Sequence, residues 1–142
     1  MKAASLVVLL ALALAGCAEP AQTAVFNECT EIEPVSVPAE TDGSLAADGC
    51  ARAAGYPADY YEVDVEERAV VTVTMQSGTF AQSFLSVHRS DSDVQLDGDV
   101  QDPGAPSASV QVVLEPGAPY IIGASGLNAG DAGDYTLTLT EE

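Results

Sequence analysis

The sequence has almost no positive charge: against 22 Asp and Glu stand four Lys and Arg and a single His, a formal charge of −18 at neutral pH. Such a surface repels phosphate backbones and anionic headgroups, which excludes nucleic acid and leaves cations as the favourable charged partners, either a metal ion or a basic protein patch. Trp is absent and aromatic residues make up 6% of the chain, so a platform for stacking sugars has little to build on. The lone His88 has no evident nucleophile or orienting group, and strand alternation points it outward beside Ser86. No Gly-x-Ser-x-Gly elbow occurs, since Gly123-Ala124-Ser125-Gly126 reads as a strand running into a turn. Glu66 and Glu67 fall in a polar turn where neighbouring side chains face apart. No catalytic residue is assigned, and the chain reads as a non-enzyme. Long apolar runs are missing too. The longest, Leu6 to Leu14, is nine residues, whereas a helix needs roughly 20 to cross a bilayer.

That short run has a different meaning. Lys2 precedes it and Ala15-Gly16-Cys17 follows, the order of an export signal with a small-residue cleavage site. Leu14-Ala15-Gly16-Cys17 resembles the bacterial lipobox, which implies that residues 1–16 are a signal peptide removed before a lipidated Cys17. Two or three acyl chains such as palmitate, at about 0.8 kcal/mol per buried methylene, hold a protein to a membrane without help from its folded part. Ala18, rather than Asp, implies the outer membrane or cell surface where the host has two membranes. Residues 17–31 then form the lipidated Cys and a small, polar tether, and residues 32–142 a single domain with adequate length for a core. With Lys2 removed, three arginines face the same 22 carboxylates, a formal charge of −19 for the mature part.

Cysteine is scarce, and once Cys17 is given to lipid only Cys29 and Cys50 remain. An even pair in an oxidising compartment reads as a disulfide, whose loop would stabilise the fold by roughly 3 kcal/mol in the chain-entropy model. A metal site built from these thiols and His88 would lack a fourth ligand.

From about Ile32 onward, short apolar alternations are separated by Gly, Pro, Asp and Ser clusters, the signature of an all-β domain. Val70 to Met75 is the clearest strand, with Val71, Val73 and Met75 on one face and Thr72 and Thr74 on the other. Tyr61 to Val65 alternates likewise and, through Glu66-Glu67-Arg68, predicts a hairpin with it. Further strands are predicted at Phe84–His88, Ser109–Leu114, Tyr120–Ala124 and Tyr135–Thr140, with short pieces at Val35-Ser36-Val37 and Gly43-Ser44-Leu45. About eight strands of this length favour a two-sheet antiparallel sandwich. Its predicted core is Val63, Val65, Val71, Val73, Met75, Leu85, Val87, Val110, Val112, Leu114, Ile121, Tyr135, Leu137 and Leu139. Tyr56, Tyr60 and Phe80 are open between exposed contact and packing.

The order of these pieces resembles the bacterial pre-peptidase C-terminal domain. The matching segments are Gly43-Ser44-Leu45 with Asp48, Asp59-Tyr60-Tyr61-Glu62-Val63 leading into Val71 to Met75, Ser83 to Val87, Pro116 to Ile122, and Gly133-Asp134-Tyr135-Thr136-Leu137. They span roughly residues 35 to 140. The resemblance implies a jelly-roll-like sandwich that accompanies secreted proteases or envelope proteins. Two departures stand out: Gln82-Ser83 precedes Phe84-Leu85 where relatives usually carry Asp, and the acidic loop after that strand has altered spacing.

That segment, Asp91 to Asp102, supplies the candidate ion ligands Asp91, Asp93, Asp97, Asp99 and Asp102. Crowded carboxylates suit calcium, which takes six to eight oxygens in irregular geometry. The EF-hand pattern fails at its fifth and sixth positions, and a merely solvated acidic loop fits the same residues. The expected function is a non-catalytic binding or interaction lipoprotein displayed on the envelope, its partner an envelope protein or extracellular ligand. The alternative is a structural lipoprotein that stabilises an envelope complex or a secreted enzyme in trans.

Overall fold

The computed structural model describes residues 31–52, 55–92 and 94–142. Their elements are ten strands: β1 (Ile32–Val35), β2 (Ala39–Leu45), β3 (Ala51–Arg52), β4 (Tyr56–Val63), β5 (Ala69–Ser77), β6 (Ser83–Arg89), β7 (Gln95–Val100), β8 (Ala108–Leu114), β9 (Tyr120–Gly126) and β10 (Gly133–Glu141). One sheet runs β1-β4-β9-β6-β7 with β3 added beside β4, and the other runs β2-β10-β5-β8. Pairing is antiparallel except between β1 and β4. Among the described residues no helix is long and apolar enough to cross a membrane.

Period-two patterning places the core between the sheets. In β5 Val71, Val73 and Met75 are buried; in β8 Val110, Val112 and Leu114; in β10 Tyr135, Leu137 and Leu139. The other sheet answers with Val63, Leu85, Val87, Tyr120 and Ile122. Leu137 is fully buried and lies opposite Met75 on one side and Thr41 on the other. Truncating it to Ala would cost about 2–5 kcal/mol, the range for a leucine cavity in a packed core.

β9 is buried along its whole length, because both of its faces are covered. Ile121, expected in the main core, instead joins Ala58 and Tyr60 in a small cluster against which Ile32 and Cys50 pack. Alternation puts these residues on the outer face of the larger sheet. There the chain around β3 lies over the sheet, held by Arg52, whose guanidinium carbon sits 4.6 Å from the Tyr56 ring centre and 4.4 Å from that of Phe84. Arg52 Nε also donates to Ser125 Oγ at 3.0 Å.

Three expectations are corrected. The strands at Tyr61 to Val65 and Val70 to Met75 do not form a hairpin: β4 pairs with β9 while β5 pairs with β10 and β8. Both present apolar residues to the interior, but from opposite sheets, and the polar segment between them passes from one sheet to the other. The expected strand at Val35-Ser36-Val37 ends at Val35, ahead of Pro38, which has no amide proton for a ladder. The acidic loop is largely a strand, β7, paired with β6.

Candidate functional site

Gly43 lies in register with Tyr135 across the β2–β10 pair. A Cβ on Gly43 would collide with the Tyr135 ring at Cζ and Oη, so glycine is what lets the ring lie across β2. The ring thereby reaches the opposite sheet. Tyr135 Oη donates to Asp59 Oδ2 at 2.6 Å, and its oxygen lies 2.6 Å from Tyr61 Oη. Since Tyr135 has one proton and spends it on the carboxylate, Tyr61 is the donor in the second bond. The result is a directed chain, Tyr61 to Tyr135 to Asp59, joining β4 to β10 through the interior.

Both tyrosines are buried, and Asp59 is half-buried. Burial pushes the Asp59 carboxyl above its ordinary range; the Tyr135 bond opposes this and the nearby charge of Glu33 adds to it. Burial likewise raises Tyr135, reinforced by its bonds to Asp59 and Tyr61, and raises Tyr61. The tyrosines therefore stay protonated at physiological pH, where neither is a base or a nucleophile.

Two clefts open on either side of β2 above this chain. One, of about 650 Å³, is bordered by Gly43, Gln76, Ser77, Asp134 and Tyr135. The other, of about 520 Å³, is bordered by Glu31, Glu33, Asp42, Asp59 and Tyr61. Asp42 and Ser44 line both, and Thr136 Oγ1 donates to Asp42 Oδ1 at 2.9 Å. Among the described residues no Lys or Arg lines either cleft. The three arginines are engaged elsewhere: Arg52 between two rings, Arg68 with Glu115 at 3.0 Å, and Arg89 with Asp91 at 3.0 Å. Uncompensated carboxylates beside a recess favour an ammonium or guanidinium group and discourage anions.

The residues singled out in the sequence lie elsewhere. Cys17 and Cys29 fall outside the described residues. Cys50 is half-buried; with Cys29 outside the described residues, their pairing remains a proposal. Asp93 also falls outside. Asp91 accepts two bonds from Arg89, which holds its carboxyl below the usual range. Asp97 accepts from the Gly98 amide at 2.8 Å, and Asp99 reaches across to the Ser109 amide of β8 at 2.8 Å. Among the described residues no group of three or more His, Cys, Asp or Glu is gathered to hold a metal; Asp97 and Asp99 lie on β7, with Asp91 and Asp102 beyond its two ends. His88, expected outward and exposed, is half-buried at the end of β6. Tyr60 and Phe80 are buried, and Tyr56 packs on Arg52. The site residues Asp59, Tyr61 and Tyr135 carried a local signal only as pieces of the family resemblance, and nothing in the sequence joined them.

No family model matches the chain, and no curated protein matches it. Solved structures do. The pre-peptidase C-terminal domain of a collagenase from Bacillus anthracis is similar with a TM-score of 0.60 at 14% identity, over 78% of this chain and 95% of that one. PliG of Aeromonas hydrophila, a periplasmic lysozyme inhibitor of g-type lysozyme, is similar with a TM-score of 0.51 at 17% identity, over 79% of this chain and 98% of that one. At such identities the likeness is one of fold. The chain has a β-sandwich like that of a pre-peptidase C-terminal domain.

Proposed function

We propose that this chain is a non-catalytic binding lipoprotein, displayed outside the cytoplasm on lipid attached to Cys17, whose clefts beside β2 receive basic side chains of a protein partner. The observation that carries this reading is the recess rimmed by Glu31, Glu33, Asp42 and Asp59, with no Lys or Arg in its lining among the described residues. The buried Tyr61–Tyr135–Asp59 chain supports it in a structural way, by fixing the floor of the recess so that the rim is presented by a rigid frame. The tyrosines hold their protons and His88 lies away from the clefts, so nothing at the recess is poised to attack a substrate. A sandwich of similar fold serves as a periplasmic lysozyme inhibitor, which makes an extracytoplasmic protein partner a natural occupant.

Surface plasmon resonance of the purified chain against a g-type lysozyme, native and with its lysines acetylated, tests the reading. Native lysozyme should bind with an affinity that falls as salt rises, and acetylation should weaken it. The pair Glu33→Gln with Asp42→Asn, which leaves shape almost unchanged, should weaken it by about tenfold, the effect of roughly 1.4 kcal/mol. Equal binding by the paired variant would remove the recess from the proposal.

A further inference from the structure

Well away from the clefts, at the opposite edge of the six-stranded sheet, β7 is left without an outer neighbour among the described residues. Its orientation follows from the register. Gln101 N donates to Ser83 O at 2.9 Å, and Asp99 and Asp97 stand opposite Leu85 and Val87 of β6, so the odd-numbered residues turn their backbone groups towards β6. Gly98 and Val100 therefore turn theirs to the open edge, while the register shift that takes the β7 partner from Asp97 to Gln95 leaves Leu96 in a bulge. The Gly98 amide is taken by its neighbour, Asp97 Oδ1, which agrees with this phase.

Side chains divide the same way. Asp97 and Asp99 share the inner side of the sheet with Leu85 and Val87, while Val100 lies on the outer side with Phe84. Val94, Leu96 and Val100 are 64%, 45% and 42% exposed, three of the four large apolar side chains that the described residues leave uncovered. An edge strand with exposed apolar residues is normally an aggregation risk, and inward-facing charges are a common guard. Here the guard is selective. Asp99 already caps the edge of neighbouring β8 at Ser109, whereas among the described residues the Gly98 carbonyl and the Val100 backbone face no further strand.

We propose that β7 is a docking edge for an extended segment of a partner protein in which basic residues alternate with apolar ones. Added as a new strand, such a segment meets the Gly98 carbonyl and the backbone groups of Val100, lays its apolar side chains beside Val100 and the exposed Leu96, and places its Lys or Arg next to Asp97 and Asp99. A second copy of this chain is the wrong occupant. Pairing β7 with itself would set carboxylates against carboxylates on a chain of net charge −18, and like charges placed opposite one another destabilise a strand pair. This edge is independent of the recess beside β2.

The probe is a capped seven-residue peptide alternating Lys and Val, labelled for fluorescence anisotropy and titrated with the full chain in detergent micelles. Matched peptides carry Glu in place of Lys, or Lys at all seven positions. The Lys-Val peptide should bind at least tenfold more tightly than either control, and hydrogen exchange should slow at Val100. Val100→Pro deletes one outward amide, a change that edge strands tolerate because the ladder to β6 does not use it; it should weaken binding at least tenfold while far-ultraviolet circular dichroism and melting stay close to wild type. Should that variant fail to fold, the double change Leu96→Lys with Val100→Lys takes its place and should abolish binding. The Glu33→Gln, Asp42→Asn variant should bind the peptide normally, so loss of recess binding and loss of edge binding are read separately. The inference is overturned by equal binding of the all-Lys peptide, by undiminished binding to a folded edge variant, by self-association of the chain in place of peptide binding, or by no binding of the Lys-Val peptide at 1 mM.

Discussion

Replacing Tyr135 with Phe tests whether the buried hydrogen-bond chain holds the two sheets together. Phe keeps the ring, which is 3% exposed, so burial and packing are nearly unchanged and the perturbation is confined to one oxygen. Two bonds are lost, one to a carboxylate and one between hydroxyls, each 2.6 Å long. Bonds to charged groups contribute about 1.5–3 kcal/mol and neutral ones about 0.5–1.5. Because Asp59 is only half-buried, water can replace part of the first, so the lower end applies, about 2 kcal/mol. For a domain of about 110 residues that lowers the melting temperature by roughly 8 °C. Urea denaturation at neutral pH of wild type, Tyr135→Phe, Asp59→Asn and the double variant gives the coupling directly. The Tyr135 substitution should cost clearly less once Asp59 is Asn, since the charge-assisted part has gone. A cost below about 0.5 kcal/mol, or one identical in both backgrounds, would refute the role assigned to the chain.

Asp59→Asn also carries a pH signature. A carboxyl raised in the folded state contributes stability that is complete below its unfolded value and is lost as pH rises through the folded one. Asn accepts the Tyr135 bond without a charge, so the variant should gain on wild type in melting temperature between about pH 3 and pH 7; a constant difference would show that burial of Asp59 is not felt. Cys17→Ala should yield an unprocessed or soluble product, and a variant of mature mass that stays membrane-bound after salt and carbonate washing would defeat the lipid anchor. Intact mass of the isolated domain, with and without reductant, should show a two-hydrogen difference for a Cys29–Cys50 bridge, whereas free alkylation of both thiols without reductant would exclude it. Melts in millimolar calcium and in sodium chloride of matched ionic strength should coincide, given that Asp91, Asp97 and Asp99 are bonded within the protein; a calcium-specific rise would mean that Asp93, outside the described residues, completes a site.

Where alternation alone decides the environment, the sequence was enough. Val71, Val73 and Met75, or Tyr135, Leu137 and Leu139, sit where period two places them, because each lies on a strand with one wet face. Ile121 shows the limit: in a strand covered on both sides every residue is buried, and alternation cannot say which cluster it joins. Pairing was less legible still, since Tyr61 to Val65 and Val70 to Met75 have the same pattern whether they share a sheet or face one another across the core. The acidic segment looked like a loop because Asp and Gly disfavour strands, yet the β6 neighbour overrode that local preference. The site depended on partners distant in sequence, Tyr135 being 76 residues from Asp59 and 74 from Tyr61. Gly43 gave only an ambiguous sign, as a glycine inside a strand can mark a bulge, a bend or a close backbone approach.

The position of β10 within its sheet governs the order in which the domain can be completed. Although it comes last among the strands, β10 lies between β2 and β5 rather than at an edge. Until residues 133–141 are available, β2 has no partner in its sheet and Tyr61 and Asp59 have no Tyr135 to meet. A chain threaded through a membrane N-terminus first, as the proposed export signal requires, would thus reach the far side before its fold could close. Delayed closure of this kind would keep the chain passable to a translocation channel, and loss of the last strand would remove the Tyr135 hydrogen bonds that join the sheets.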